Sequence, residues 1–210
     1  LCNQFCSVTL SSLYHDILKD RMYTLAYDHP LRRSSQTAIH HIFKTLVRLL
    51  GPILPFTSDE AWAYYREETD FTEDALVLQG WPSEAKTWQD PELAADFVQL
   101  FSFRDSVNEK LEGLRSAGEI GRSLDAFVQV SGDQADAEFA RLDRYRQFLE
   151  ELLIVSQVEL AARPGQGIAI EVSKASGGRC PRCWRWETQL AAGVENEQTC
   201  SRCEEALKKA

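Results

Sequence analysis

The sequence predicts a mainly α protein of several units: an antiparallel helical bundle, then a small α+β unit, then a short cysteine-rich end. Three observations predict this. Apolar residues recur at steps of three and four over residues 10–50 and again over 90–118, the spacing of a buried helix stripe. After Gly118 that period gives way to short apolar runs bounded by turn residues, the pattern of strands. Finally, four of the six cysteines fall in two C-x2-C pairs near the end of the chain.

The first helix is expected over residues 10–25, with Leu10, Leu13, Tyr14, Ile17, Leu18, Met22 and Leu25 on one side, and Asp28-His29-Pro30 stops it. A second helix follows, burying Ile39, Ile42, Phe43, Leu46, Leu49 and Leu50 and ending at Gly51-Pro52. Thr57-Ser58-Asp59-Glu60 has the form of a capping box and starts a short helix containing Trp62 and Tyr65. Residues 66–89 read as a long acidic connection with one extended piece at Leu76–Leu78. Asp90-Pro91 combines an N-cap carboxylate with a proline at the first helical position, so a long helix runs from there to about Gly118. Beyond it, Leu124–Val130 is expected as a strand, Ala135–Leu149 as a helix, and Leu152–Leu160 and Ile168–Val172 as strands. Ser173–Gly178 reads as a linker. The resulting division is 1–118, 119–174 and 175–210.

Composition bounds what such a chain can do. It has 210 residues, 44% apolar and 26% charged, enough for a real core and too apolar for a disordered tail. No stretch approaches eighteen unbroken apolar residues, so no spanning helix is predicted. The first thirty residues lack the pattern of a secretory signal. Leu1 is not an initiator methionine, so the chain is expected to be a piece of something longer. Net charge is -9, concentrated in residues 71–178, where 10 basic face 19 acidic side chains. Non-specific nucleic-acid binding needs a basic face, so any such contact must be local and shaped.

The chemistry concentrates at the end. Cys180-Pro-Arg-Cys183, sixteen residues, then Cys200-Ser-Arg-Cys203 supply four sulfurs in pairs, as tetrahedral zinc requires. Gly193 offers a turn between the pairs. A segment of some thirty residues cannot fold on burial alone, and one structural zinc would supply the missing stability. Two disulfides or a redox dithiol are the competing readings; disulfides need an oxidising compartment, and one pair would suffice for redox work. Cys2 and Cys6, four apart on a helix, read as small apolar core residues.

Trp184 and Trp186 follow the first pair, with Arg179, Arg182, Arg185 and Arg202 around both. Such a set can form a platform for unstacked bases and phosphates. Equally, the tryptophan can cover the metal while the arginines balance a thiolate centre of net charge -2. In the second helix Arg32, Arg33, Gln36, Lys44 and Arg48 could line a nucleic-acid groove or simply form its solvated face. There is no Gly-rich phosphate loop, no G-x-S-x-G and no H-E-x-x-H, and His15, His29, His40 and His41 stand beside no candidate nucleophile. No catalytic residue is expected.

Leu10-Ser-Ser-Leu-Tyr14, Ile17-Leu-Lys-Asp-Arg-Met-Tyr23, Arg32-Arg-Ser-Ser-Gln-Thr37 and Pro52-Ile-Leu-Pro-Phe-Thr-Ser-Asp-Glu-Ala-Trp62 resemble the C-terminal region of bacterial isoleucyl-tRNA synthetases. Ile120-Gly-Arg-Ser-Leu-Asp-Ala126 resembles that family's junction motif, and the two cysteine pairs its terminal zinc finger. The proline-rich motif is shared with related valyl and leucyl enzymes; the zinc end together with Leu-Lys-Asp-Arg points to isoleucine. The resemblance implies a truncated anticodon-binding helical domain, a junction domain and a four-cysteine zinc finger over the three divisions above. It implies class I chemistry, isoleucine activated with ATP and transferred to tRNA(Ile), with the catalytic and editing domains upstream of Leu1 and ATP bound only there. This piece would grip the anticodon stem-loop through Arg32, Arg33, Gln36, Lys44, Arg48, Arg182, Trp184, Arg185 and Arg202. A cytoplasmic monomer without membrane contact is implied. Arg185-Trp186 departs from the family, which more often has histidine or tyrosine near this place. The alternatives are a zinc finger of the DNA-repair glycosylase type and a zinc-stabilised protein-interaction domain.

Overall fold

The computed structural model describes residues 1–69, 75–83, 86–192 and 198–209. Gly193 lies outside the described residues. The chain is mainly helical, with a small mixed sheet and a cysteine cluster, and it divides into two compact units: Leu1–His29 with Asp90–Ala210, and Pro30–Gln89.

In the larger unit, one turn, α1 (Cys2–Gln4), leads into a π-helical stretch over Phe5–His15 and then α2 (Asp16–Thr24). The wider π turn breaks the expected 3.6-residue stripe, and Leu10 is the one residue of Phe5–His15 that is buried. Cys2 is exposed and Cys6 half-buried, so neither is the core residue expected of it. The long helix α5 (Pro91–Ser116) starts as predicted: the Asp90 Oδ1 accepts the Leu93 N–H at 2.9 Å, and Pro91 follows. Gly118, at φ 74, carries the chain out of it.

Three strands, β1 (Ala126–Gly132), β2 (Gln157–Ala162) and β3 (Ala169–Lys174), form a sheet in the order β2-β1-β3. β1 runs parallel to β2, pairing Val128 with Val158, and antiparallel to β3, pairing Val128 with Val172. Parallel pairing requires a crossover, here α6 (Ala137–Arg144) and α7 (Arg146–Leu153). The single helix expected over Ala135–Leu149 is therefore two, interrupted at Tyr145 (φ -103, ψ 14). The strand expected from Leu152 is helical as far as Leu153. Leu149, Leu152 and Leu153 form a buried helix face, and Ile154 in the left-handed region ends it. A short apolar run does not distinguish helix from strand by periodicity, which is why the boundary differs.

Burial alternates along β1, sending Ala126, Val128 and Val130 into the core. There they meet Leu100, Phe103, Val107 and Leu111 of α5, Phe139 and Leu142 of α6, and the α7 face. Asp96 fastens α5 to α6, accepting Arg141 at 2.8 Å, Arg144 at 2.9 Å and the Tyr145 hydroxyl at 3.0 Å. The expected linker is structured: β3 continues to Lys174, buried Ala175 donates its N–H to the Asp125 carbonyl at 2.7 Å, and Gly178 already belongs to a strand.

The smaller unit pairs α3 (Pro30–Leu50) with α4 (Pro55–Thr69) around Val47, Trp62 and Leu76, supported by Phe43 and Tyr65. Both helices begin on a proline, whose missing N–H costs nothing in the first turn. α4 thus starts before the predicted capping box; the Ser58 N–H already bonds to the Leu54 carbonyl at 3.0 Å. Leu76–Leu78 is a 3-10 turn and not extended, with Leu76 buried as its anchor.

Candidate metal centre and nucleic-acid interface

The first cysteine pair sits on a hairpin of β4 (Gly178–Arg179) and β5 (Trp186–Glu187). The Cys180 N–H bonds to the Arg185 carbonyl and the Trp184 N–H to the Cys180 carbonyl, both at 2.9 Å, closing the knuckle. Gly177 (φ 97) permits the approach: a Cβ there would lie 2.1 Å from the Glu187 carbonyl oxygen. The second pair follows β6 (Ala191–Ala192) and β7 (Gln198–Thr199): Cys200 caps α8 (Ser201–Lys208), and Cys203 lies in its first turn.

All four sulfurs are buried and lie within 4.8 Å of one another. Cys183 and Cys200 stand 3.6 Å apart, and all four thiols are free. A disulfide needs about 2.05 Å. Four sulfurs about 2.3 Å from a central ion would be separated by about 3.8 Å, so the cluster has the spacing of a tetrahedral thiolate site and can hold a metal ion. The Cys183 thiol is drawn down to about 4, first by the hydrogen bond from Cys203, with the Arg185 backbone and Arg202 assisting against burial. Burial pushes Cys200 up to about 11.

The sequence profile of the family described as the anticodon-binding domain of tRNA ligase matches residues 1–130. The chain belongs to that family. It is also similar, over 98% of its length, to the isoleucine–tRNA ligases of Fervidobacterium nodosum (36% identity) and Thermotoga maritima (39% identity). It spans 23% and 22% of those relatives, so it corresponds to under a quarter of each.

In this member of the family the structure brings Arg182, Trp184, Arg185 and Arg202 together around the sulfur cluster. Three of them point inward. The Arg182 Nη1 donates to the Thr24 carbonyl at the end of α2 and lies 3.5 Å from the Cys203 Sγ. Arg185, 8% exposed, donates to Glu150 and to the Ser156 carbonyl at 3.2 Å. Arg202 grips Asp20 with two N–H groups, one at 2.8 Å. Burial works against both members of that pair, but their mutual hydrogen bonds and attraction prevail, holding Asp20 below the usual carboxylate range and Arg202 firmly charged.

Trp184 differs. It is half exposed, its backbone is left-handed (φ 65), and the guanidinium carbons of Arg122 and Arg179 lie 5.0 and 5.6 Å from its ring centroid. Arg122, which the sequence reading does not single out, stands beside Trp184 from the Ile120–Ala126 motif. Trp186 is committed elsewhere, its indole N–H on the Asp125 Oδ1 at 2.9 Å. The five α3 residues belong to the smaller unit. Arg33 is exposed, while Arg32, Gln36, Lys44 and Arg48 are half-buried, and the Lys44 ammonium lies 5.8 Å from the Trp62 ring centroid and 5.9 Å from that of Tyr65.

Proposed function

We propose that this chain is the tRNA-recognition part of an isoleucine–tRNA ligase, binding the anticodon stem-loop of tRNA(Ile) without performing chemistry itself. The family membership of residues 1–130 carries this reading, and the similarity of nearly the whole chain to isoleucine–tRNA ligases supplies the amino-acid identity. Class I activation of isoleucine with ATP would then belong to other parts of the longer ligase, a cytoplasmic monomer. The helices would form an antiparallel bundle of the anticodon-binding type over residues 1–118, followed by a junction domain over 119–174 and a zinc finger over 175–210.

The ion we infer is a single structural zinc held by Cys180, Cys183, Cys200 and Cys203. The four-sulfur donor set suits it and leaves no open position for catalysis. Bound there, zinc supplies a cross-link between the hairpin and α8. Trp184, with Arg122 and Arg179 over its ring, offers an unstacked base a π face and its phosphate a positive charge. Arg182, Arg185 and Arg202 would act chiefly by holding that platform, while Arg32, Arg33, Gln36, Lys44 and Arg48 would meet the RNA backbone from α3.

Filter binding of the chain to a tRNA(Ile) transcript tests the proposal, with an anticodon-substituted transcript as control. Preference for the native anticodon is the expected result. Equal affinity for both transcripts defeats it, and an absence of RNA binding with retained zinc would favour a protein-interaction domain.

A further inference from the structure

We propose that Asp20 is a positioning residue for the metal centre: through Arg202, and with the Thr24 carbonyl through Arg182, it makes zinc occupancy and the ordering of the end of α2 one coupled equilibrium.

The Leu18-Lys19-Asp20-Arg21 motif resolves into separate structural tasks. Leu18 is buried, and exposed Lys19 pairs with Asp16 at 2.8 Å. Arg21 grips Glu151 on α7. Asp20 turns toward the cysteines, taking both N–H groups of Arg202 and a 3.0 Å bond from the Thr24 Oγ1, with the Arg185 Nη1 at 3.9 Å. One turn on, the Thr24 carbonyl takes Arg182.

Both guanidiniums connect α2 to the cysteine cluster. Arg182 spans from the Thr24 carbonyl to the Cys203 Sγ. Arg202, held in the chain between Cys200 and Cys203 at the start of α8, has two N–H groups on Asp20. A zinc ion with four thiolates carries net charge -2. That charge draws the two arginines inward, and the arginines carry α2 with them. The Thr24 carbonyl is one of the unpaired acceptors at a helix C-terminus, where a cation is favoured. Coupling of this kind is reciprocal: if zinc steadies α2, an intact α2 contact steadies zinc by the same factor. Groups behind the ligands of metal sites commonly change affinity about 10–100-fold when removed.

The experiment uses the 210-residue chain loaded with zinc and does not involve RNA, so its outcome is independent of the tRNA reading. Zinc release to a chromogenic chelator is timed for wild type, Asp20→Asn and Lys19→Ala. Hydrogen exchange at residues 22–25 is followed with and without zinc. Release is expected to be about 10-fold or more faster in Asp20→Asn and unchanged in Lys19→Ala. Zinc removal should speed exchange at residues 22–25 in wild type but have little further effect in Asp20→Asn, where the connection is already cut. If Asp20→Asn fails to fold, Arg202→Lys, which keeps the charge but loses the two-pronged grip, provides the same readings. Wild-type release from a folded variant, equal acceleration in Lys19→Ala, or exchange indifferent to zinc in wild type overturns the proposal.

Discussion

Trp186 donates its indole N–H to the Asp125 carboxylate at 2.9 Å, and the other oxygen of that carboxylate accepts the backbone N–H groups of Gly121 and Arg122. Asp125 thus ties the cysteine hairpin to the Ile120–Ala126 segment, which also presents Arg122 to Trp184. Two tryptophans two residues apart consequently do different work. Trp186→Phe should lose one charge-assisted hydrogen bond and about 1.5–3 kcal/mol of stability, measurable by urea denaturation.

Trp184→Ala should leave stability nearly unchanged, because the ring is half exposed. If it stacks on a base, tRNA affinity should fall by about 1–3 kcal/mol, roughly 5- to 150-fold. Titration with fluorescently labelled tRNA(Ile) would measure it, and unchanged affinity would remove Trp184 from the interface.

Cys200→Ser removes one of four ligands. Elemental analysis should give about one zinc per chain in wild type and little in the variant. Hydrogen exchange should show lost protection over residues 178–209 with the core around Val107 and Val128 retained, because that core has its own buried surface.

Asp96 makes stability pH-dependent. The Arg141 hydrogen bond, then that of the Tyr145 hydroxyl and the positive charge of Arg144, hold its carboxyl below the ordinary range against the cost of burial. The folded chain therefore takes up this proton less readily than the unfolded chain. Its contribution is full above the ordinary carboxylate pKa of about 4 and is lost as pH falls through the lower folded value. Melting temperature should fall along this acid limb, and Asp96→Asn should flatten it while lowering stability at neutral pH.

Leu149 is fully buried where α7 meets the sheet and α5. Leu149→Ala should cost about 2–5 kcal/mol, the range for a buried leucine truncated in a packed core. Urea denaturation followed by circular dichroism checks it.

What can be read before folding is whatever local chemistry decides. Asp90-Pro91 marks the start of α5 because cap and first turn are adjacent in sequence, and the C-x2-C pairs announce four converging sulfurs for the same reason. The α7 boundary is not legible, since Leu152, Leu153 and Val155 suit helix and strand equally and tertiary packing decides between them. The inward arginines are hidden for another reason: Asp20 and Thr24 lie more than 150 residues from Arg202 and Arg182. Charge near a knuckle reads as surface until its distant acceptors are known.

The 182-residue separation of Asp20 from Arg202 also orders events during synthesis. At about 5–20 residues per second, roughly ten to forty seconds pass between translation of the carboxylate and translation of its partner. Over that interval a nascent polypeptide can assemble the α5 and β1 segments, whose partners are nearby, but cannot close the clasp at its far end. Until Arg202 is made, Asp20 has only the Thr24 hydroxyl and the more distant Arg185 to answer its charge, so the two-pronged ion pair is a late event of synthesis.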